Sequence, residues 1–225
     1  MYEWDFSVIL QNYDLLLLGL VNTLKVTVVA LSFGIPIGLC LALLRLSNKR
    51  WVSMPTGLFI EFFRSTPPLV QLFWIFFALP IIINVEIDPY TASVLTFSIQ
   101  SSAFFAEVFR AGIISIDKGQ WEAGYAIGMQ RVHVLKRVIL PQAVKRMIPA
   151  FLERVIELMK TTALVSAISY SDLLFQANAI SQITYRPLEV FTVAAAMYFM
   201  VLFPTSVAVR KLERRLAVSG ESTAQ

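Results

Sequence analysis

The residues best suited to ligand chemistry lie close together near position 160. Five of them recur at three- or four-residue spacing and so share one face of a helix, namely Arg154, Glu157, Lys160, Thr161 and Leu164. Glu157 and Lys160 could receive the two charged ends of a zwitterionic amino acid. The hydroxyls of Thr161 and Thr162 could add hydrogen bonds. The alternative is a structural ion cluster of Arg154, Glu157 and Lys160 that stabilises its own helix.

Other polar residues have less distinctive patterns. Gln100 and Ser101, with Ser102 beside them, could line a ligand pathway or could hydrogen-bond to neighbouring helices. Glu107 and Arg110 stand three residues apart, which favours a structural ion pair. His133 is the only histidine and Cys40 the only cysteine, and neither stands at metal-site spacing from other ligand residues. We therefore predict no metal-binding or catalytic residues.

Composition decides what kind of protein must position these residues. The chain has 225 residues, of which 57% are hydrophobic and 15% are charged, and its mean hydropathy is +0.68. Soluble domains carry about 25% charged residues, so an ordinary soluble enzyme and a disordered chain are both excluded. Long uncharged stretches predict about five membrane-spanning helices at 15–45, 60–83, 89–111, 148–170 and 188–209. The fourth is unusual because its first half is charged.

The positions of the charges predict the orientation. Most of the 19 Lys and Arg residues lie in segments 45–64, 107–154 and 210–215, whereas residues 1–14 contain none. The positive-inside rule therefore predicts an external N-terminus and a cytoplasmic C-terminus, as an odd number of spans requires. We predict an all-α polytopic membrane helix bundle that forms one domain over residues 1–225. The acidic start argues against a cleavable signal peptide, and basic residues that flank spans argue against nucleic acid as a partner.

Two further patterns concern helix packing and a long loop. Gly34 and Gly38 form a small-xxx-small pattern around Pro36, which predicts close helix packing with a kink. Residues 115–146 form a long cytoplasmic loop with two predicted helices. Small residues mark the first helix and Gly128 can end it, whereas Pro141 is expected to break or kink the second. The pair could lie on the membrane surface or could dock another protein.

The sequence of the long loop resembles a motif of a known protein family. Glu122-Ala123-Gly124, then Gly128, then Ile139-Leu-Pro141 resembles the EAA loop of ABC importer permeases, with Gly124 where that family usually has Ala. Segments 22–27, 41–47, 60–72, 106–112 and 118–123 resemble the polar amino acid group of these permeases, which transports histidine, glutamate, glutamine, arginine and opines.

The resemblance implies a type I importer permease of five spans in a bacterial inner membrane. Its implied partners are a dimer of ABC ATPase subunits, a second permease subunit, an extracytoplasmic solute-binding protein, membrane lipid and an amino acid substrate. The chain contains no Gly-x-x-x-x-Gly-Lys-Ser/Thr phosphate loop, so ATP and Mg²⁺ are expected on the ATPase and no cofactor on this chain. Glu122, Ala123, Gly124, Gly128 and Pro141 are the expected coupling residues.

The family comparison also bears on the substrate. Met159–Leu164 resembles a family segment that has Asp where this chain has Thr161. A cationic side chain would favour such an acid, so its absence favours an acidic or zwitterionic substrate. Two rival functions differ in class. An ion-gradient-driven carrier needs coupling acids within its spans, for which only Glu157 is suitable, and a membrane-bound enzyme needs a catalytic motif that the sequence lacks.

Overall fold

The computed structural model describes residues 2–218, with backbone alone at residue 210 and at residues 213–218. Residues 219–225, which the charge pattern assigns to the cytoplasm, lie outside the described residues, as do the side chains of Arg214 and Arg215. All regular structure in the described part is helical. Ten α-helices follow one another: α1 (Ser7–Arg45), α2 (Arg50–Ser65), α3 (Pro68–Phe73), α4 (Leu79–Ile83), α5 (Pro89–Ile114), α6 (Lys118–Ala126), α7 (Arg131–Val134), α8 (Leu140–Thr161), α9 (Leu173–Thr184) and α10 (Pro187–Val218).

Helices α1 and α5 form the centre of the bundle. Val26 and Ala30 of α1 pack against Phe97 of α5 in a fully buried cluster. The predicted small-residue pattern lies at this contact, because Gly34 and Gly38 are both buried directly against α5. Helix α1 continues through Pro36, and its backbone leaves helical angles at Asn12 instead. The close-packing prediction is therefore confirmed.

The second predicted span is not one straight helix. Helix α2 ends at Ser65, and the helical segment from Pro68 to Ile83 leaves at an angle of 105° to it. That segment comprises α3, a π-helical turn over Trp74–Ala78 and α4. The break has a local cause, since Pro67 and Pro68 follow Thr66 and a residue before proline is held out of the helical region. Thr66 accordingly has extended backbone angles.

The fourth predicted span also differs from the expectation. Helix α8 ends at Thr161 and a 3₁₀ helix covers Thr162–Ile168, after which Ser169 adopts left-handed angles. A short helix that the sequence analysis missed, α9, then packs against α1. The buried carboxylate of Asp172 caps α9 by accepting the Phe175 N–H at 2.8 Å, and the Leu173 N–H donates to the Thr23 hydroxyl at 3.2 Å.

Three described helices are long and apolar enough to cross a membrane, namely α1, α5 and the part of α10 up to Val209. The bent pair of α2 and Pro68–Ile83 makes a fourth if it counts as one span. Helix α8 does not meet the same criterion because charged residues occur throughout it, including Lys145, Glu153 and Glu157. The count of five spans and the orientation of the termini stay predictions.

Pro141 does not interrupt the second loop helix. Helix α7, a π-helical turn over Leu135–Ile139 and α8 follow one another with helical backbone angles at both junctions. Proline lacks the N–H of a helical hydrogen bond and its ring crowds the preceding turn, and the wider π turn directly before it relieves that crowding. The expected break at Pro141 is therefore absent, a π-helical turn directly precedes this residue, and the alternative of a kink stays a prediction.

Candidate functional site

A polar pocket of about 180 Å³ lies where the α2–α3 break faces α5 and α8. Its polar lining comes from all three regions: Arg64 and Thr66 at the break, Gln100 and Ser101 on α5, and Arg154, Glu157 and Thr161 on α8. Phe104, Phe105 and Leu158 supply apolar wall. The pocket thus contains both signs of charge, one amide and several hydroxyls within a small volume.

The break at Thr66 is held open by one buried side chain. The Nε2 amide of Gln71 donates to the carbonyl of Phe63 at 3.0 Å and to the carbonyl and hydroxyl of Thr66 at 2.9 and 2.7 Å. These carbonyls lose their helical partners when the chain turns, and a buried carbonyl without a partner is costly. Gln71 therefore fixes the backbone that presents Arg64 and Thr66 to the pocket.

Two arginines face one aromatic ring at the pocket wall. The guanidinium carbon of Arg154 lies 4.7 Å from the centre of the Phe104 ring, and that of Arg64 lies 5.9 Å from it. Arg154 also forms an ion pair with Glu157 one turn further along α8. Arg64 pairs with Glu61 at 3.3 Å, and its Nε is buried without a hydrogen-bond partner among the described residues.

Four of the six predicted substrate residues meet in this pocket. Glu157 and Thr161 come from α8, and Gln100 and Ser101 come from α5. The Thr161 hydroxyl donates to the Glu157 carbonyl at 2.8 Å, and the Ser101 hydroxyl donates to the Ser98 carbonyl at 3.2 Å. Both hydroxyl oxygens retain acceptor capacity for a ligand.

The other two predicted residues lie elsewhere. Thr162 is fully buried against α1, where its hydroxyl donates to the Met159 carbonyl and lies 3.4 Å from the hydroxyl of Thr27. Lys160 is exposed and makes no ion pair with any described residue, so the structural cluster contains Arg154 and Glu157 alone. Neither Thr162 nor Lys160 belongs to the pocket lining.

Arg64, Thr66 and Phe104 line this site but were not predicted from the sequence. They lie far from Glu157 along the chain, and only the fold brings them together. The Thr66-Pro67-Pro68 sequence was the available signal, because a proline pair within a predicted span predicts a helix break, and non-helical backbone at membrane depth lines a cavity or is buried in protein.

A second groove of about 340 Å³ continues from the pocket and shares Arg64, Phe104 and Arg154 with it. Arg146 and Ser115 lie at its far end. Glu107 also lines it, and the Arg110 guanidinium binds both oxygens of this carboxylate, with 2.9 Å between Nε and Oε2. The predicted Glu107–Arg110 pair is therefore present in the structure.

The 115–146 loop folds as a helical hairpin. Gly124 is buried so closely against Val134 that an added Cβ would lie 2.7 Å from the valine Cγ2. Gly128 has φ +78°; its N–H donates to the Tyr125 carbonyl at 2.9 Å, and the Met129 N–H donates to the Gly124 carbonyl at 3.1 Å. This is the Schellman arrangement that ends a helix. Glu122 and Ala123 are exposed on α6, Glu122 on the side opposite Gly124, and Pro141 is exposed near the start of α8.

Comparison with known proteins gives the family. Residues 34–218 match the family described as binding-protein-dependent transport system inner membrane component. The chain belongs to this family. It is 37% identical over 218 residues to the glutamine transport system permease protein GlnP of Escherichia coli K12, covering 96% of this chain and 99% of that protein. The putative glutamine permease GlnP of Rickettsia bellii is 36% identical over 201 residues, covering 89% and 92%.

Solved structures agree on the architecture. The crystal structure of an amino acid ABC transporter with histidines matches with a TM-score of 0.89 at 36% identity, over 95% of this chain and all of that one. A chain of the MetNI methionine transporter has the same fold, with a TM-score of 0.74 at 20% identity over 92% and 98%. The fold is that of a type I ABC importer permease.

Family membership settles the coarse function. The chain is an inner-membrane permease subunit of a binding-protein-dependent ABC importer for amino acids, and a partner subunit hydrolyses the ATP. Such an importer also requires a solute-binding protein. The described residues contain no group of three or more His, Cys, Asp or Glu side chains that could hold a metal ion.

Proposed function

We propose that the 180 Å³ pocket is the substrate contact of the translocation pathway and that its substrate is a zwitterionic amino acid with an uncharged polar side chain, glutamine first. The observation that carries the proposal is the convergence of Arg64, Arg154 and Glu157 with Gln100 and Thr161 in one small cavity. Pockets for drug-sized ligands measure about 300–1,000 Å³, so this smaller one suits a single metabolite.

Each group has a role that its chemistry supports. Each of the two guanidiniums can donate two parallel hydrogen bonds to the substrate carboxylate. Glu157 can pair with the substrate ammonium group. The Gln100 amide and the Thr161 hydroxyl can bond to a side-chain amide. Substrate binding would separate the Arg154–Glu157 pair and replace each charge's partner with one end of the zwitterion, so that neither charge is left unpaired.

Two observations favour glutamine over a cationic amino acid. Thr161 occupies the position where the resembling family segment has Asp, and the remaining acid, Glu157, is paired with Arg154. The relatives in Escherichia coli and Rickettsia bellii are named as glutamine permeases. The acidic amino acids remain competitors to be measured, because two arginines line the pocket.

The proposal includes coupling through the hairpin. The exposed face of α6, with Glu122 and Ala123, would enter a cleft on an ABC ATPase dimer that holds ATP and Mg²⁺. Gly124 and Gly128 would shape that face, and Pro141 would set the widened turn behind it. The pathway would lie between this chain and a second permease subunit, identical or homologous, and a binding protein would deliver substrate at the outer face.

Uptake by the assembled transporter in proteoliposomes tests the substrate site. With saturating binding protein, Glu157→Gln should lower glutamine uptake and binding-protein-stimulated ATPase activity at least about tenfold. Its matched control is Glu153→Gln, which removes an exposed acid one turn earlier on the same helix. Competition by glutamate, arginine and histidine then ranks substrates. Equal rates and affinities in the Glu157→Gln and Glu153→Gln transporters would refute the assignment.

A separate variant tests the coupling. Glu122→Lys reverses an exposed charge, so the permease should still insert and assemble while uptake and ATPase stimulation are lost together. Lys118→Glu, at the first residue of the same helix, is the control for a change of surface charge. Normal uptake in the Glu122→Lys transporter would contradict the proposed docking face.

A further inference from the structure

Helix α2 carries an apolar stripe that no described residue covers. Trp51, Met54, Leu58 and Phe62 recur at helical spacing and are all exposed, with 94% of Trp51 accessible. On the opposite face Ile60 is buried with Ala42 of α1 and Ala103 of α5. Helix α2 is thus anchored to the bundle along one side and presents a second, outward apolar side.

The stripe adjoins a basic polar hollow at the N-terminal end of α2. The hollow measures about 350 Å³ and is lined by Arg45, Ser47, Asn48, Arg50, Ser53 and Met54. The Arg45 guanidinium is fixed across it, since NH1 donates to the Ser53 carbonyl at 2.8 Å and to its hydroxyl at 3.3 Å. Lys49, the exposed residue before Arg50, adds a third positive charge at this end of α2.

The hollow and the stripe are continuous. Arg50 and Met54 also line a shallow apolar depression of about 530 Å³ with Trp51, Pro55 and Leu58. A ligand that fits both must therefore carry an anionic group next to a long apolar chain. The Thr66 break supports this geometry, because it allows α2 to lie at 105° to the helical segment that follows it.

We propose that this surface of α2 binds an anionic glycerophospholipid, with the phosphate in the Arg45–Arg50 hollow and an acyl chain along Trp51, Met54 and Leu58. Guanidiniums bind phosphate oxygens with charge-assisted hydrogen bonds. Tryptophan beside the basic end of an amphipathic helix is typical of helices that lie in the membrane interface. A two-fold contact between copies through the same face would place like basic residues near one another, so lipid is the favoured occupant.

Fluorescence quenching in nanodiscs tests this binding on the full chain. Trp4, Trp74 and Trp121 are replaced by Phe, and Trp51 is quenched by brominated phosphatidylglycerol or brominated phosphatidylcholine in a phosphatidylcholine bilayer. Phosphatidylglycerol should quench at several-fold lower mole fraction. The double variant Lys49→Gln, Arg50→Gln should lose about fivefold in that preference per charge removed. Lys136→Gln, an exposed change on the hairpin, should leave it unchanged.

Each opposite outcome overturns the proposal. Equal quenching by both lipids shows that no headgroup is selected. Absence of quenching by either shows that protein covers Trp51. Displacement of the preference by millimolar glycerol 3-phosphate shows a site for free phosphate. Native mass spectrometry of the chain with all four tryptophans gives an independent count, and the Lys49→Gln, Arg50→Gln variant should retain fewer phosphatidylglycerol molecules than the Lys136→Gln control.

Discussion

Gly34 of α1 faces Ser101 of α5 so closely that a Cβ added to Gly34 would lie 1.9 Å from the Ser101 hydroxyl oxygen and 3.0 Å from its Cβ. No pair of non-bonded heavy atoms tolerates 1.9 Å, so the helix spacing beside the pocket depends on this glycine. Ser101 also lines the pocket. The contact therefore links packing at the centre of the bundle to the shape of the candidate site.

Gly34→Ala should destabilise the folded permease by about 1–3 kcal/mol, as overpacking of a core does. A lower apparent melting temperature of the purified chain in detergent would show this. Ser101→Gly removes the clashing atoms, so the Gly34→Ala, Ser101→Gly double variant should recover much of the loss, with Ser101→Gly alone as the reference. A double variant as unstable as Gly34→Ala would place the clash elsewhere.

Gly128 should tolerate asparagine better than valine. Its φ of +78° suits glycine, and asparagine adopts such angles more readily than a β-branched residue. No described atom lies within 4 Å of the added Cβ position, so packing within the chain does not oppose either side chain. Gly128→Val should lower uptake strongly and Gly128→Asn only mildly, measured in proteoliposomes at equal permease content.

The Gly128→Asn and Gly128→Val variants together distinguish a conformational role of Gly128 from close contact with a partner surface. If the left-handed turn alone matters, Gly128→Asn transports nearly as well as the unmodified chain. Equal loss in both variants would instead show that a partner surface approaches Gly128, and it would contradict a purely conformational role.

Helical periodicity predicted only part of the pocket. At about 100° per residue, Thr161, Arg154 and Leu158 lie about 40°, 60° and 100° to one side of Glu157, and all four line the cavity. Lys160 lies about 60° to the other side and points away from it. Three- and four-residue spacing predicts that these residues share one broad face of α8. It does not predict which side of that face is turned toward the cavity.

Other differences have separate causes. Thr162 lies about 140° from Glu157 at the same 100° per residue, beyond the arc that faces the cavity, and its hydroxyl lies 3.4 Å from that of Thr27 on α1. Arg64 joins the site through a tertiary contact that no local spacing encodes. The hairpin was more predictable, because Gly128 ends α6 by a short-range motif that depends on residues within the same few positions.

Asp88 should stabilise the start of α5 in a pH-dependent way. One carboxylate oxygen accepts the N–H groups of Tyr90 and Thr91 at 2.9 and 3.1 Å, and the other accepts the Thr91 hydroxyl. These bonds lower the pKa of Asp88 below its ordinary value. The stabilisation is therefore complete above the unfolded pKa, near 3.9, and is lost as the pH falls through the lower folded pKa.

Asp88→Ala should then cost about 0.5–2 kcal/mol at pH 7, the usual range for a lost helix cap. The difference in apparent melting temperature from the unmodified chain should shrink as the pH is lowered below about 4. Glu86→Ala removes a neighbouring exposed carboxylate that caps no described helix and should have little effect. A difference that stays constant down to pH 3 would contradict a role for the charged cap.

The N-terminal segment should be held in place by Glu189. This carboxylate is fully buried in the first turn of α10, where it accepts the Tyr2 hydroxyl and the Asp5 N–H, the latter at 3.0 Å. Arg186 reinforces the contact by donating to the Glu3 carbonyl at 2.7 Å. Glu189→Ala leaves the Tyr2 and Asp5 donors without their acceptor, which costs about 1–3 kcal/mol.

Hydrogen–deuterium exchange of residues 2–6 measures this loss. Exchange should accelerate about 5- to 150-fold in Glu189→Ala, the factor that corresponds to that free energy. Glu3→Ala is the matched control, because Glu3 contributes its backbone carbonyl and its side chain is exposed. Equal exchange in the two variants would contradict the role of the buried Glu189 carboxylate in holding the segment on α10.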